Sequence, residues 1–212
     1  MQIVHFGHAC LLVQAGSSRV LIDPGAFSAG FESARELDAV LITHQHFDHL
    51  DLDRLPALLE ANPGAELIAD TASAEQIGER GLEVRAVRPG ERLEFAGTQV
   101  EVHGGVHAHA HPDLPPPVPN VAYLVDGRLL HPGDSLHVPP DREVEVLALP
   151  TGAPWLKAAE AVDYFRAVKP RVAVPIHEAT LALPELHYRM FDTLAPQGSA
   201  MRVLPRGEAV EV

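Results

Sequence analysis

Leu41-Ile-Thr-His-Gln-His-Phe-Asp-His-Leu50 follows directly on the apolar run Ala39-Val-Leu-Ile42 and places His44, His46, Asp48 and His49 within six residues. An extended segment turns alternate side chains to one face, so His44 and His46 can bind one ion side by side. A turn at the strand end then swings Asp48 and His49 toward a second ion close by. Neutral imidazole and carboxylate suit zinc and other divalent first-row metals. A solvated loop that happens to be rich in histidine would not need so many ligand types at one strand end.

The remaining histidines cluster as well. There are 13, at 5 and 8, 44 to 49, 103 to 111, 131 and 137, and 177 and 187, a distribution expected of several loops that converge on one place. In Val102-His-Gly-Gly-Val-His-Ala-His-Ala-His111 a third imidazole for the first ion is available. His107, at a strand end after the flexible Gly104-Gly105, is the preferred candidate; His109 is the alternative, ahead of His103 and His111. Asp134 in His131-Pro-Gly-Asp-Ser135 sits on a turn that Gly133 can tighten, where a carboxylate could bridge two ions or be ordinary turn structure. His177 in Val174-Pro-Ile-His-Glu178 also ends a strand, and alone would pass for a surface histidine.

Around these motifs the chain alternates short strands with helices. Strands are expected at 2–6, 10–14, 19–23 and 38–43, then a helix over 52–60 stopped by Asn62-Pro-Gly64. A strand at 67–70 and a helix at 73–80 follow, then strands near 83–87, 92–95 and 98–103. Beyond the loop 107–119, Asp126-Gly127 joins strands 121–125 and 128–131 as a hairpin. A strand at 144–149, a helix at 156–168, a strand at 171–175, a helix at 185–194 and two short strands complete the chain. Strands lead each half and strand–helix pairs follow, so the expected architecture is α/β: two sheets face to face with helices outside, a four-layer αββα sandwich forming one domain over 1–212.

Composition sets bounds on function. With 46 % apolar and 21 % charged residues the 212-residue chain can build a sizeable core. A net charge of −13 argues against a nucleic-acid partner, which selects a basic face. No apolar stretch reaches the roughly 20 residues of a membrane span, and Met1-Gln-Ile-Val-His-Phe6 lacks the form of a signal peptide; a cytoplasmic location is expected. The single cysteine, Cys10, excludes an internal disulfide and reads as a buried small hydrophobe.

In order along the chain, Gly7-His-Ala9, Leu21-Ile-Asp-Pro24, Thr43-His-Gln-His-Phe-Asp-His49, His107, Gly133-Asp-Ser135, Leu149-Pro-Thr-Gly152 and Pro175-Ile-His177 resemble the metallo-β-lactamase superfamily. The likeness is greatest to the branch with the ascorbate-6-phosphate lactonase and uncharacterised zinc-dependent hydrolases. That resemblance implies that His44, His46 and His107 bind one metal, that Asp48, His49 and His177 bind a second, and that Asp134 bridges them. Two divalent ions are implied, zinc first, with manganese, iron or nickel equally compatible with a His/Asp ligand set. Asp23 would orient a ligand imidazole. His8 would lie beside the site, contacting substrate or ligands, and Asp48 would orient the attacking water and accept its proton.

The implied activity is hydrolysis of a small-molecule ester or lactone by a hydroxide held between the metals. The alternatives are a phosphodiesterase or phospholipase-type hydrolase of the same fold, and a metal-binding sensor or degenerate paralogue without turnover. Common zinc β-lactamases carry cysteine where this chain has Asp134, and flavodiiron proteins carry glutamate in place of His46. The partner expected is a small-molecule substrate, and a homo-oligomer is compatible with the sequence. The proline-rich loop Ala108 to Pro119 is expected to run over the site mouth as an extended flap, with Leu114 and Val118 underneath and His109 and His111 within reach of a polar group.

Overall fold

The computed structural model describes residues 1–212. Its first half comprises β1 (Gln2–Gly7), β2 (Cys10–Ala15), β3 (Ser18–Ile22), β4 (Ala39–Ile42), α1 (Leu55–Glu60), β5 (Glu66–Asp70), α2 (Thr71–Glu79) and β6 (Arg85–Val87). The second half comprises β7 (Arg92–Phe95), β8 (Thr98–Val106), β9 (Pro119–Val125), β10 (Leu129–His131), β11 (Val146–Pro150), α3 (Ala158–Val168), β12 (Val172–Ile176), α4 (Pro184–Thr193), β13 (Ala200–Met201) and β14 (Ala209–Glu211).

The strands form two seven-stranded sheets of related design. One runs β14-β1-β2-β3-β4-β5-β6 and the other β13-β12-β11-β10-β9-β8-β7. In each, an antiparallel meander gives way to parallel strands: β1 to β3 pair antiparallel and β3 to β6 parallel, just as β7 to β10 pair antiparallel and β10 to β13 parallel. The last two strands do not pair with each other. β13 extends the second sheet, and β14 returns to β1 in the first.

Strand pleating explains the layers. In β4, Ala39 and Leu41 enter the core between the sheets, while Val40 and Ile42 face α1 and α2 with Leu55, Leu58 and Ile77. In β9, Val121, Tyr123 and Val125 join the inter-sheet core, whereas Ala122 and Leu124 pack with Phe165 and Phe191 of α3 and α4. Each strand is therefore apolar on both faces, which is why β4 reads as a continuous run rather than an alternating one. Full burial of each large aliphatic side chain is worth about 1.5–3 kcal/mol. The result is an α/β four-layer sandwich, helix–sheet–sheet–helix.

Element boundaries differ modestly from expectation. α1 starts at Leu55 rather than 52, because Asp51 ties Asp53 and Arg54 into a turn through its Oδ1. α2 starts earlier, at Thr71, because Asp70 at the end of β5 accepts hydrogen bonds from Ala72 N and Ser73 N and caps it. The Asp126-Gly127 hairpin forms as read, with φ of 55° and 62° at its two corners. Cys10 is fully buried.

Candidate metal centre

β4 ends at Ile42, and the chain then turns so sharply that His46 O accepts from both His49 N and Leu50 N at 2.9 Å. This turn folds Asp48 and His49 back beside His44 and His46, whose rings meet at 4.7 Å. The Asp23-Pro24-Gly25 corner after β3 packs against the turn. A Cβ on Gly25 would lie 1.8 Å from Asp48 O, so only glycine permits this approach. From the second sheet, His107 follows β8, Asp134 follows β10 and His177 follows β12.

Two groups of four result: His44, His46, His107 and Asp134, and His8, Asp48, His49 and His177. Within each group one ligand atom per residue lies within 4.8 Å of the others. Asp134 belongs to both neighbourhoods. Its Oδ1 lies 3.1 Å from His49 Nε2, and its Oδ2 lies 3.2 Å from His107 Nε2 and 3.1 Å from His177 Nε2.

The other ring nitrogens fix the orientation of these imidazoles. His107 Nδ1 meets Ala108 O at 2.5 Å and His177 Nδ1 meets Gly152 O at 2.6 Å. A carbonyl only accepts, so Nδ1 carries the proton in both rings and Nε2 presents its lone pair to the centre. His49 Nδ1 donates in the same way to Asp23 Oδ2 at 2.7 Å. Asp23 also accepts from Thr43 N and Thr43 Oγ1, and Thr43 Oγ1 in turn lies 3.1 Å from His44 Nδ1. A single buried carboxylate thus braces one imidazole directly and another through a hydroxyl.

This donor set fits a bound cation. His49 Nε2, His107 Nε2 and Asp134 Oδ1 are buried and have no hydrogen-bond partner, although nitrogen lone pairs and carboxylate oxygens face each other at 3.1–3.2 Å. Acceptors crowded in this way need positive charge between them. Proton affinities show the same demand. Burial pushes His49 down, but the Asp134 and Asp23 carboxylates outweigh it and raise its pKa well above the usual histidine value. Burial pushes Asp48 up, yet the His8 hydrogen bond and the His49 charge hold its carboxyl at about 2.

His8 is fully buried, with Nε2 3.0 Å from Asp48 Oδ2 and its ring 4.1 Å from that of His177. It is closer to the centre than a bystander would be. His8, Asp23 and His177 all take φ between 50° and 61°, a left-handed conformation that non-glycine residues rarely adopt. Three of the eight non-glycine residues with positive φ thus meet at this one place.

Among the alternatives for the third imidazole, the structure brings in His107. His109 is exposed at the mouth, His111 is exposed and accepts from Asp113 N, and His103 packs against His137 with ring centroids 5.8 Å apart. Two contributors escaped the sequence reading. Trp155 Nε1 donates to Asp134 Oδ2 at 2.8 Å, and Asn120 Oδ1 accepts from Asp134 N at 2.9 Å. Neither sits in a motif, although Trp155 is the only tryptophan of the chain and follows the quoted Thr151-Gly152. Gly133 is needed beside them: it has φ of 58°, and a Cβ there would lie 2.4 Å from Asn120 Oδ1.

A cavity of about 530 Å³ opens onto the centre, and the loop after His107 forms one wall of it through Ala108 to Ala110 and Leu114 to Val118. His111 is not among the residues that line it. Ala108 N donates to Asp134 O at 2.7 Å, which ties the root of the loop to the centre.

A beta-lactamase superfamily domain model matches residues 2–177, from the first strand to the last histidine of the centre. The chain belongs to the metallo-β-lactamase superfamily. Within that superfamily it is similar to Protein Rv0786c of Mycobacterium tuberculosis, 50 % identical over 216 residues and 99 % of each chain. It is also similar to a UPF0173 metal-dependent hydrolase of Thermoplasma acidophilum, at 25 % over 98 % of this chain and 96 % of the other. Among solved structures it resembles the metallo-beta-lactamase fold protein YhfI from Bacillus subtilis, with a TM-score of 0.76 and 17 % identity, over 99 % of this chain and 98 % of that one. At that identity the likeness concerns the fold.

Proposed function

We propose that this superfamily member is a metal-dependent hydrolase that holds two divalent ions and cleaves a small-molecule ester or lactone. The observation that carries this reading is Asp134, one carboxylate within 3.2 Å of imidazoles from both groups of four. The name of the Thermoplasma relative, a metal-dependent hydrolase, supports it.

His44, His46 and His107 would hold one ion, Asp48, His49 and His177 the other, and Asp134 both. Zinc is the first choice, with manganese, iron and nickel also suited to such ligands. Bound ions would supply Lewis acidity and make a water nucleophilic near neutral pH. The chain's own groups do the rest. Asp48, whose carboxyl the His8 hydrogen bond and the His49 charge keep ionised, would orient the water and take up its proton. His8 donates to Asp48 Oδ2 and fixes that carboxylate's direction. Asp23, Gly152 O and Ala108 O keep His49, His177 and His107 in the tautomer that leaves Nε2 free. No helix of the structure is long and apolar enough to cross a membrane, and a small-molecule substrate in the cytoplasm fits this reading.

Elemental analysis of protein reloaded with zinc or manganese tests it. Two ions per chain are expected, falling toward one in His177→Ala, together with turnover on a panel of neutral esters and lactones. Saturation at one ion, unchanged by His177→Ala, would exclude the paired centre.

A further inference from the structure

The cavity over the centre has one-sided chemistry. Beyond the proposed ligands, its walls are mostly apolar, Phe27, Phe47, Leu114, Val118, Pro154 and Trp155 with neighbouring prolines and alanines; His109 and Thr180 are the polar exceptions, and no lysine or arginine lines it. Phe27 and Phe47 meet edge to face at 5.2 Å, and Phe27 stands 5.2 Å from the His8 ring. Phe47 is 62 % exposed and Leu114 53 % exposed, and both line the opening. Exposed aromatic and aliphatic side chains that ring a concave opening mark a binding surface rather than chance exposure.

We infer that the substrate carries an uncharged, apolar arm, an acyl or alkyl chain or an aryl ring, which lies between the Phe27–Phe47 pair and the Leu114 loop while its carbonyl meets the centre. This rests on the metal-centre reading above and narrows its substrate class. The charge pattern favours it. An anionic arm would find no lysine or arginine among the lining residues, only the exposed His109 imidazole outside the centre, and the chain as a whole carries −13; anion sites are commonly built from Arg, Lys or helix N-termini. An apolar arm instead gains from every surface it covers. The prolines at 115 to 117 hold that wall with little backbone freedom, so less order has to be imposed when the arm binds. Phe27, Phe47 and Leu114 are then specificity residues that touch the arm and not the metals.

Calorimetric titration of zinc-loaded protein with three hydroxamates tests this without turnover. Acetohydroxamate has a metal-binding head and almost no arm, hexanohydroxamate adds an apolar arm, and adipic monohydroxamate gives an arm of similar length a terminal carboxylate. Hexanohydroxamate should bind more tightly than acetohydroxamate by up to roughly fourfold per added methylene, and adipic monohydroxamate should lose most of that gain. Leu114→Ala and Phe47→Ala should each narrow the ratio between hexano- and acetohydroxamate, with metal content as the check on folding. Equal affinity for the two neutral probes, or tighter binding of the carboxylate-ended one, would overturn the apolar arm and leave the metal centre standing. Failure of the protein to retain zinc or to bind acetohydroxamate would bring down the centre, and this inference with it.

Discussion

The rims of the two sheets supply the centre in different ways. At the rim of the first sheet, His44, His46, Asp48 and His49 arrive on one tight turn after β4. At the rim of the second, His107, Asp134 and His177 arrive from the ends of three separate strands, β8, β10 and β12. The first set is built by local geometry. The second exists only once the sheet has assembled, because nothing but strand pairing relates position 107 to position 177. Ions held by both rims would therefore couple metal binding to the packing of one sheet on the other, and binding free energy becomes folding free energy.

The largest expected effect comes from the residue that ties the rims together. Asp134→Ala removes the carboxylate facing His49, His107 and His177, leaving Nε2 atoms with no shared negative partner. Both ions should be lost, with metal affinity falling by more than the roughly 100-fold that outer partners cost, and hydrolysis should go with them. Elemental analysis and turnover on the best substrate of the ester panel measure this. Retention of one tightly bound ion on the first rim would show that the two rims act separately.

A smaller effect is expected from Asp23, which braces ligands of the first rim. Asp23→Asn keeps an acceptor and tolerates the left-handed backbone at φ 50°, but it removes the charge behind His49 Nδ1. Affinity for the second ion should drop about 10–100-fold, and for the first ion less, since Asp23 reaches His44 only through Thr43. Competition with a chelator resolves the two constants. An equal fall in both would mean that Asp23 acts on the whole turn rather than on His49.

The same contrast governs how much could be read in advance. His44 to His49 and the apolar β4 were legible because strand, turn and ligands are contiguous, and His46 O closes the turn on His49 N and Leu50 N within the same stretch. Asp134 and His177 were weaker, since a Gly-Asp-Ser turn and a strand-end histidine have ordinary explanations until the fold places them 3.1 Å apart. The layers followed from strands that are apolar on both faces. The choice of His107 over His109 turned on where β8 ends, since His107 follows Val106 directly and His109 stands two residues further along, a difference that periodicity does not resolve. His8 could be put near the site but not against Asp48, because that contact spans 40 residues. Trp155 and Asn120 left no signal: each acts through one hydrogen bond to Asp134, and a single tryptophan or asparagine in a loop has many uses.

Trp155 gives the finest test of the second rim, with the smallest change. Its Nε1–H reaches Asp134 Oδ2 at 2.8 Å, and its ring stands 5.8 Å from His107 and 6.1 Å from His177. Trp155→Phe keeps an apolar ring at the cavity wall and removes only the donor. A hydrogen bond to a charged group is worth about 1.5–3 kcal/mol, but the half-buried position lets water replace part of it. Both ions should stay bound, and kcat/KM should fall by about tenfold or less, mainly in kcat, as Asp134 loses the group that fixes its angle. As the only tryptophan, Trp155 also reports on the centre: adding zinc to metal-free protein should change its fluorescence, and Asp134→Ala should abolish most of that change. If Trp155→Phe instead raised KM with kcat intact, the indole would serve the substrate arm and not the carboxylate. The second rim would then consist of its three ligands alone.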